Sequence, residues 1–181
     1  MRLASAALAA ILLAACSPEY NWREIRSIDQ GYLVMLPGKP ATMTRTIRLE
    51  ETEVPMTMQG ARVGETAFTV AVATLPDERP VTREKAQAAM RAGMVRNIGG
   101  VERTADAGTV ALVDASGTAL GRIPAVRIEA GGSAQGRPMS MLAGFTSRGA
   151  RAYQWVVIGP EVRREEALTF LDSFRLLQTE H

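Results

Sequence analysis

Between Thr42 and Pro76 the side chains alternate in character with a period near two, and that stretch commits the chain to a fold built on a β-sheet. Thr42 to Leu49 alternates polar and apolar groups, Glu50-Glu51-Thr52-Glu53 reads as a charged turn, and Val54, Met56 and Met58 share a face. The apolar residues change parity at Gly60, because Ala61 and Val63 continue on odd numbers, and a bulge at Gln59-Gly60 is the expected cause. After a turn at Gly64-Glu65, Phe68, Val70 and Val72 point one way while Thr69, Ala71, Ala73 and Leu75 point the other. Both faces are largely apolar, so this strand needs cover on each side.

The flanking sequence supplies partners for such a strand. Trp22 to Ile28 fits a first strand or a helical turn, and Tyr32-Leu33-Val34-Met35-Leu36 fits a short buried strand closed by Pro37-Gly38-Lys39-Pro40. Thr82 is placed to cap a helix over 83–98, in which Ala86, Met90, Met94 and Ile98 recur every four residues before Gly99-Gly100. Four further runs read as strands: Thr109 to Asp114, Ala119 to Glu129, Pro138 to Thr146 and Arg151 to Ile158. Gly159-Pro160 opens a second helix, with Glu161, Glu165 and Glu166 at its start and Leu168, Phe170, Leu171 and Phe174 on its buried side. Strands, a helix, strands and a last helix predict a single α+β domain around an antiparallel β-sheet flanked by helices.

The first residues carry an address. Arg2, an apolar run through Leu13 and the tetrapeptide Leu13-Ala14-Ala15-Cys16 have the layout of a secretory signal, too short to span a bilayer stably. The tetrapeptide resembles the bacterial lipobox. That resemblance implies loss of residues 1–15, a diacylglyceryl thioether on Cys16 and an acyl chain such as palmitate on its new amine. Each buried methylene contributes about 0.8 kcal/mol, so two or three chains anchor firmly where one is marginal. Ser17, in place of Asp, directs the expectation to the outer membrane, facing the periplasm. Ser17 to Asn21 then forms a short polar tether.

Composition removes several reaction classes. Cys16 is the only cysteine, so an intrachain disulfide is excluded, and a lipidated Cys16 leaves no thiol for catalysis. The only histidine is His181, on which any Ser-His-Asp, His-zinc or haem arrangement would have to depend. The net charge of +2 is scattered, which gives nucleic acid no footprint. Of the 21 basic residues only Lys39 and Lys85 are lysines, a bias that suits bidentate carboxylate contacts but that a GC-rich genome would also produce.

Three segments resemble PsbP-like domains: Tyr32 to Pro40 at the start, Gly121-Arg122-Ile123-Pro124-Ala125 in the middle and Ala167 to Leu176 at the end. The resemblance implies an α/β/α sandwich over 22–178, following a signal peptide at 1–15 and a lipidated tether at 16–21. Characterised members of that group include accessory binding proteins, without a shared catalytic site.

The expectation is therefore a non-enzymatic accessory or protein-interaction module of the bacterial envelope, held by lipid on Cys16, needing no cofactor and engaging an envelope protein. An alternative is a carrier of a small ligand or Cu(I). It rests on Pro55-Met56-Thr57-Met58 and Pro138-Met139-Ser140-Met141, since a Met-x-Met pair on a strand places both thioethers on one face. Ordinary core packing is the plainer use of Met56, Met58, Met139 and Met141. The carboxylates Glu24, Asp29, Asp106, Asp114, Glu129 and Asp172 show no paired spacing that would suggest acid-base catalysis.

Overall fold

The two-faced stretch forms β5 (Thr66–Thr74), which is bonded to a strand on each side. The computed structural model describes residues 19–178. Within them lie β1 (Arg23–Ser27), β2 (Tyr32–Leu36), β3 (Ala41–Leu49), β4 (Thr52–Val63), β6 (Val101–Val113), β7 (Ala119–Ala134), β8 (Arg137–Arg148), β9 (Arg151–Gly159) and β10 (Arg175–Leu177). Two helices, α1 (Pro80–Asn97) and α2 (Arg164–Ser173), complete the described chain. All ten strands join one sheet in the order β1-β2-β10-β6-β7-β8-β9-β5-β4-β3, antiparallel throughout except for the parallel pair β10–β6.

The sandwich expectation is corrected by this architecture. Strands hold 58% of the described residues and helices 18%, and the sheet curls into a half-barrel. Tyr32 on β2 donates a 2.8 Å hydrogen bond to Gln59 Oε1 on β4, joining the second strand of the sheet to the ninth. The sheet thus covers much of its own concave face. One helix per face adds to that cover without forming a layer, and β3 and most of β6 remain exposed.

Side-chain parity assigns the two cores. On the concave side Tyr32, Phe68, Trp155, Phe170 and Phe174 pack with Val34, Leu36, Val70 and Val72. Trp155 stacks on Phe174 at 4.3 Å between centroids and 7° between planes, and its Nε1 donates to Leu171 O at 3.2 Å. Gly144 lies beneath that indole; a Cβ there would sit 2.2 Å from the ring. On the convex side Met56, Ala71, Ala73, Met141, Phe145 and Val156 pack with Ala86 and Met90 of α1.

The parity change in β4 follows from the same two cores. No bulge interrupts its pairing with β3 or β5. Val54 and Met56 face the convex cluster whereas Ala61 faces the concave one, so the strand changes which side carries its apolar groups. Helix α1 starts three residues before the expected point, with Pro80 in its first turn and Arg79 as N-cap, and Thr82 makes no capping bond. It stops at Gly99, where φ is +52°, as the Gly99-Gly100 signal predicts.

Residues 19–22, read from sequence mostly as tether, are tied to this scaffold. Arg163 pairs with Glu19 at 2.9 Å and lies over the Tyr20 ring. Tyr20 stacks on Trp22, and both rings meet the edge or face of Phe68 in T-shaped contacts. Asn21 N donates to Pro37 O at 3.0 Å.

Candidate functional site

The sheet has an incomplete strand inside it, and that defect creates the most distinctive surface. Strand β10 has three residues and pairs with β6 only over Ala111–Val113. On that side β6 has no neighbouring strand among the described residues from Glu102 to Val110. Residues Val101 to Thr109 are all exposed, Val101 at 69%. An edge of this kind presents alternate backbone N–H and C=O groups as a template for another strand.

Each end of the open segment is fixed. At its start, Arg91 of α1 grips Glu102 through two nitrogens, Nε to Oε1 at 2.7 Å, and holds the Glu102 carboxyl below the ordinary range against a smaller opposing effect of burial. A bulge follows between Glu102 and Thr104 in the pairing with β7, and the Arg103 guanidinium lies over Gly131, where a Cβ would be 2.2 Å away. At its far end β6 regains a neighbour when Arg175 of β10 comes opposite Ala111.

Over the β6–β7 pair, and reaching the end of α2, lies a shallow cavity of ≈ 330 Å³ lined by Asp106, Gly108, Thr109, Arg122, Arg127 and Asp172. Arg127 spans from β7 to the end of α2, with Nη1 2.5 Å from Asp172 Oδ1 and Nη2 donating to Leu171 O at 3.0 Å. Arg122 Nε donates to Thr109 Oγ1 at 2.5 Å. The small residues Ala107, Gly108 and Ala125 line it together with side chains of both charge signs, an arrangement suited to main-chain pairing with polar selection.

A larger cavity, ≈ 690 Å³, lies between the β3–β4 turn and the first turns of α1, where Leu49, Val54 and Val81 meet Glu50, Arg79 and Lys85. Its polar lining combines the charged Glu50, Glu51, Arg79 and Lys85 with Thr52 and Thr82.

The residues singled out from sequence are distributed as follows. Cys16 and His181 lie outside the described residues. Met56 and Met58 are on β4 while Met139 and Met141 are on β8, with β5 and β9 between those strands. Three strand spacings of about 4.8 Å separate the pairs, so the neighbouring strands required for four convergent sulfurs are not found. Met56 and Met141 are buried in the convex core, and Met58 and Met139 pack against it.

Of the scattered carboxylates, Glu24 meets Arg26, Glu129 meets Arg164 at 2.6 Å, and Asp172 meets Arg127. Asp114 closes the β6–β7 turn: the Ser116 hydroxyl, then the Thr118 backbone N–H, hold its carboxyl below the usual range. Asp106 and Asp172 are the two of that group that line the cavity near the open edge. Ser173 ties α2 to β2, donating to Phe170 O at 2.6 Å and accepting from Met35 N at 2.9 Å. Sequence reading missed the open edge itself. Its trace in the sequence is Thr104-Ala105-Asp106-Ala107-Gly108-Thr109, small and polar on both faces and without the alternation that marks a strand.

No family model matches the chain, and no curated protein matches it. Among solved structures it is similar to the apo form of the immunity protein TplEi of the T6SS from Pseudomonas aeruginosa. The identity is 10% and the TM-score 0.40, over 98% of this chain and 85% of that one.

Proposed function

We propose that this protein is an envelope lipoprotein, anchored through Cys16, that acts without catalysis as an accessory module and receives an extended segment of an envelope protein along β6. The observation that carries this reading is the unpaired lane beside Glu102–Val110. The sheet's outer edges are β1 and β3, and charge alone does not set β6 apart from them, since its open part carries Glu102, Arg103 and Asp106. β1 has five residues and carries Arg23, Glu24 and Arg26; β3 carries Arg45 and Arg48. The open part of β6 is centred on the small residues Ala105, Ala107 and Gly108 with Asp106 and, unlike β1 and β3, lies within the sheet order beside the lane that β10 begins. A partner segment there would continue the lane that β10 begins, gaining main-chain hydrogen bonds from β6 and side-chain discrimination from Arg122, Arg127 and Asp106.

Photo-crosslinking in intact cells tests the reading. A benzophenone side chain at Ala107 is expected to trap one envelope protein in stoichiometric amount, and the same group at Thr44 on β3 is expected not to. Adding Ala105→Lys, a tolerated surface change, should abolish the adduct. Equal trapping at both edges, or an adduct indifferent to Ala105→Lys, would reject β6 as the docking strand. Mass spectrometry of the recovered protein reads the acylation of Cys16 in the same sample.

A further inference from the structure

The clamp on residues 19–22 determines more than the start of the domain. We infer that the end of the domain at which this clamp sits rests on an anionic lipid surface, with the opposite end held away from the bilayer. The inference rests on the proposed lipidation of Cys16, and two independent observations support it.

The first is reach. Glu19 lies three residue steps beyond Cys16, and an extended chain covers at most about 3.6 Å per residue, or about 11 Å in total. Glu19 is bound by Arg163, Asn21 by Pro37, and Tyr20 and Trp22 by Phe68. An anchor on Cys16 therefore leaves the domain little freedom to tumble. The surface nearest the anchor includes the β4–β5 turn, Arg137 at the β7–β8 turn and the loop from β9 into α2, which line one cavity with Glu19 and Tyr20.

The second is charge. At the clamped end, the segments that join elements and the residues flanking them carry Arg23, Lys39, Arg137, Arg163 and Arg164 against Glu19, Glu65 and Glu161. The joining segments and flanks at the opposite end carry Asp29, Glu50, Glu51, Asp77, Glu78 and Asp114 against Arg79, Arg148, Arg151 and Arg175. The difference is five basic minus three acidic against four basic minus six acidic. Net positive charge faces the anchor and net negative charge faces away, which is the polarity an anionic bilayer stabilises. Strand β6 starts at the clamped end, so its open lane runs outward from the lipid surface and stays accessible to a partner.

The test uses the full chain, processed in a bacterial host and reconstituted into phosphatidylethanolamine vesicles containing phosphatidylglycerol. Cys16 is the only natural cysteine, so a lipidated protein accepts a nitroxide at one introduced thiol. Ser133→Cys labels the clamped end and Ala115→Cys the opposite one; both positions are exposed. The expected result is that the label at 133 is shielded from an aqueous paramagnetic relaxant and the label at 115 is not. Lys39→Gln with Arg137→Gln should lower the ratio of docked to undocked protein roughly thirty-fold, at about one kcal/mol per basic group. Phosphatidylcholine vesicles should have a similar effect.

Protein whose mass lacks the acyl chains and that fails to float with vesicles would remove the lipid anchor on which the inference depends. Acylated, vesicle-bound protein with both labels equally accessible, or with the label at 115 the shielded one, would overturn the orientation while leaving the anchor intact. Shielding at 133 that is unchanged by Lys39→Gln with Arg137→Gln and by phosphatidylcholine would overturn the role of anionic lipid.

Discussion

The two faces of the sheet are packed by different means. The concave core is aromatic: Tyr32, Phe68, Tyr153, Trp155, Phe170 and Phe174 come from β2, β5, β9, α2 and the residue after it, and they interlock through stacked and T-shaped contacts. The convex core, under α1, is aliphatic, made of Ala, Val, Met, Ile and Leu with Phe145 as its one aromatic. Large rigid rings fill the hollow of a curled sheet and fix which strands meet across it. Small and flexible side chains let a helix lie close on the outer surface. The concave side accordingly specifies the curl, and the convex side supplies area.

The largest effect should come from removing the ring at the centre of the concave core. Trp155 is fully buried, stacks on Phe174 and donates to Leu171 O. Trp155→Ala is expected to cost about 4 kcal/mol, read as a lower midpoint in urea unfolding. A cost near 1 kcal/mol would mean that the concave core collapses around the gap and does not set the curl.

A smaller effect should appear on titrating the same core. Burial pushes the Tyr32 hydroxyl up to about 12, against a weaker opposite pull from Ser27, and burial raises that of Tyr153 as well. The unfolded chain loses the Tyr32 proton near pH 10 while the folded chain keeps it, so the folded state binds more protons across that window. The contribution is fully present below pH 10 and is lost as pH rises towards 12, roughly 2–3 kcal/mol in all for a shift of about two units. Unfolding midpoints measured from pH 9 to 12 should fall, and Tyr32→Phe should flatten the curve. An unchanged slope in Tyr32→Phe would remove Tyr32 as its source.

The convex core should be more forgiving. Met141 is fully buried under α1, yet its space is bounded by adaptable neighbours. Met141→Leu conserves volume and is expected to cost less than about 1.5 kcal/mol in urea unfolding. A loss equal to that of Trp155→Ala would erase the contrast between the two faces.

The unequal faces also explain what could be read from the sequence. β5 was legible because Phe68, Val70 and Val72 alternate with Ala71, Ala73 and Leu75, and both sets are buried. The curl was not, because it depends on Tyr32 meeting Gln59 across the sheet, a contact to which no local period refers. Cover on two faces was therefore assigned to helices, although the sheet itself provides much of it. The first half of β6 was illegible for the opposite reason. Thr104 to Thr109 bury neither face, so the pattern that reveals a strand is missing, and pairing with β7 on one side alone holds it extended. β10 was hidden in the end of the second helical run, since Leu176 and Leu177 extend its apolar pattern beyond Phe174.

The smallest effect concerns the join between the convex helix and the open strand. Arg91 and Glu102 are about one-third exposed, which limits their ion pair through solvent screening to no more than about 1 kcal/mol. Glu102 has its carboxyl held down by Arg91, so this contribution is present above the unfolded carboxylate range and is lost as pH falls through the lowered folded value. Glu102→Gln should therefore leave global unfolding almost unchanged at neutral pH. Its consequence should instead be local, because this pair ties the first residues of an edge strand to α1. Amide hydrogen exchange at Arg103 to Ala105 is expected to quicken in Glu102→Gln while Val156 and Val157 on β9 keep their protection. Equal acceleration at both places would show that the pair supports the whole sheet, and the open edge would then be no softer than the cores it borders.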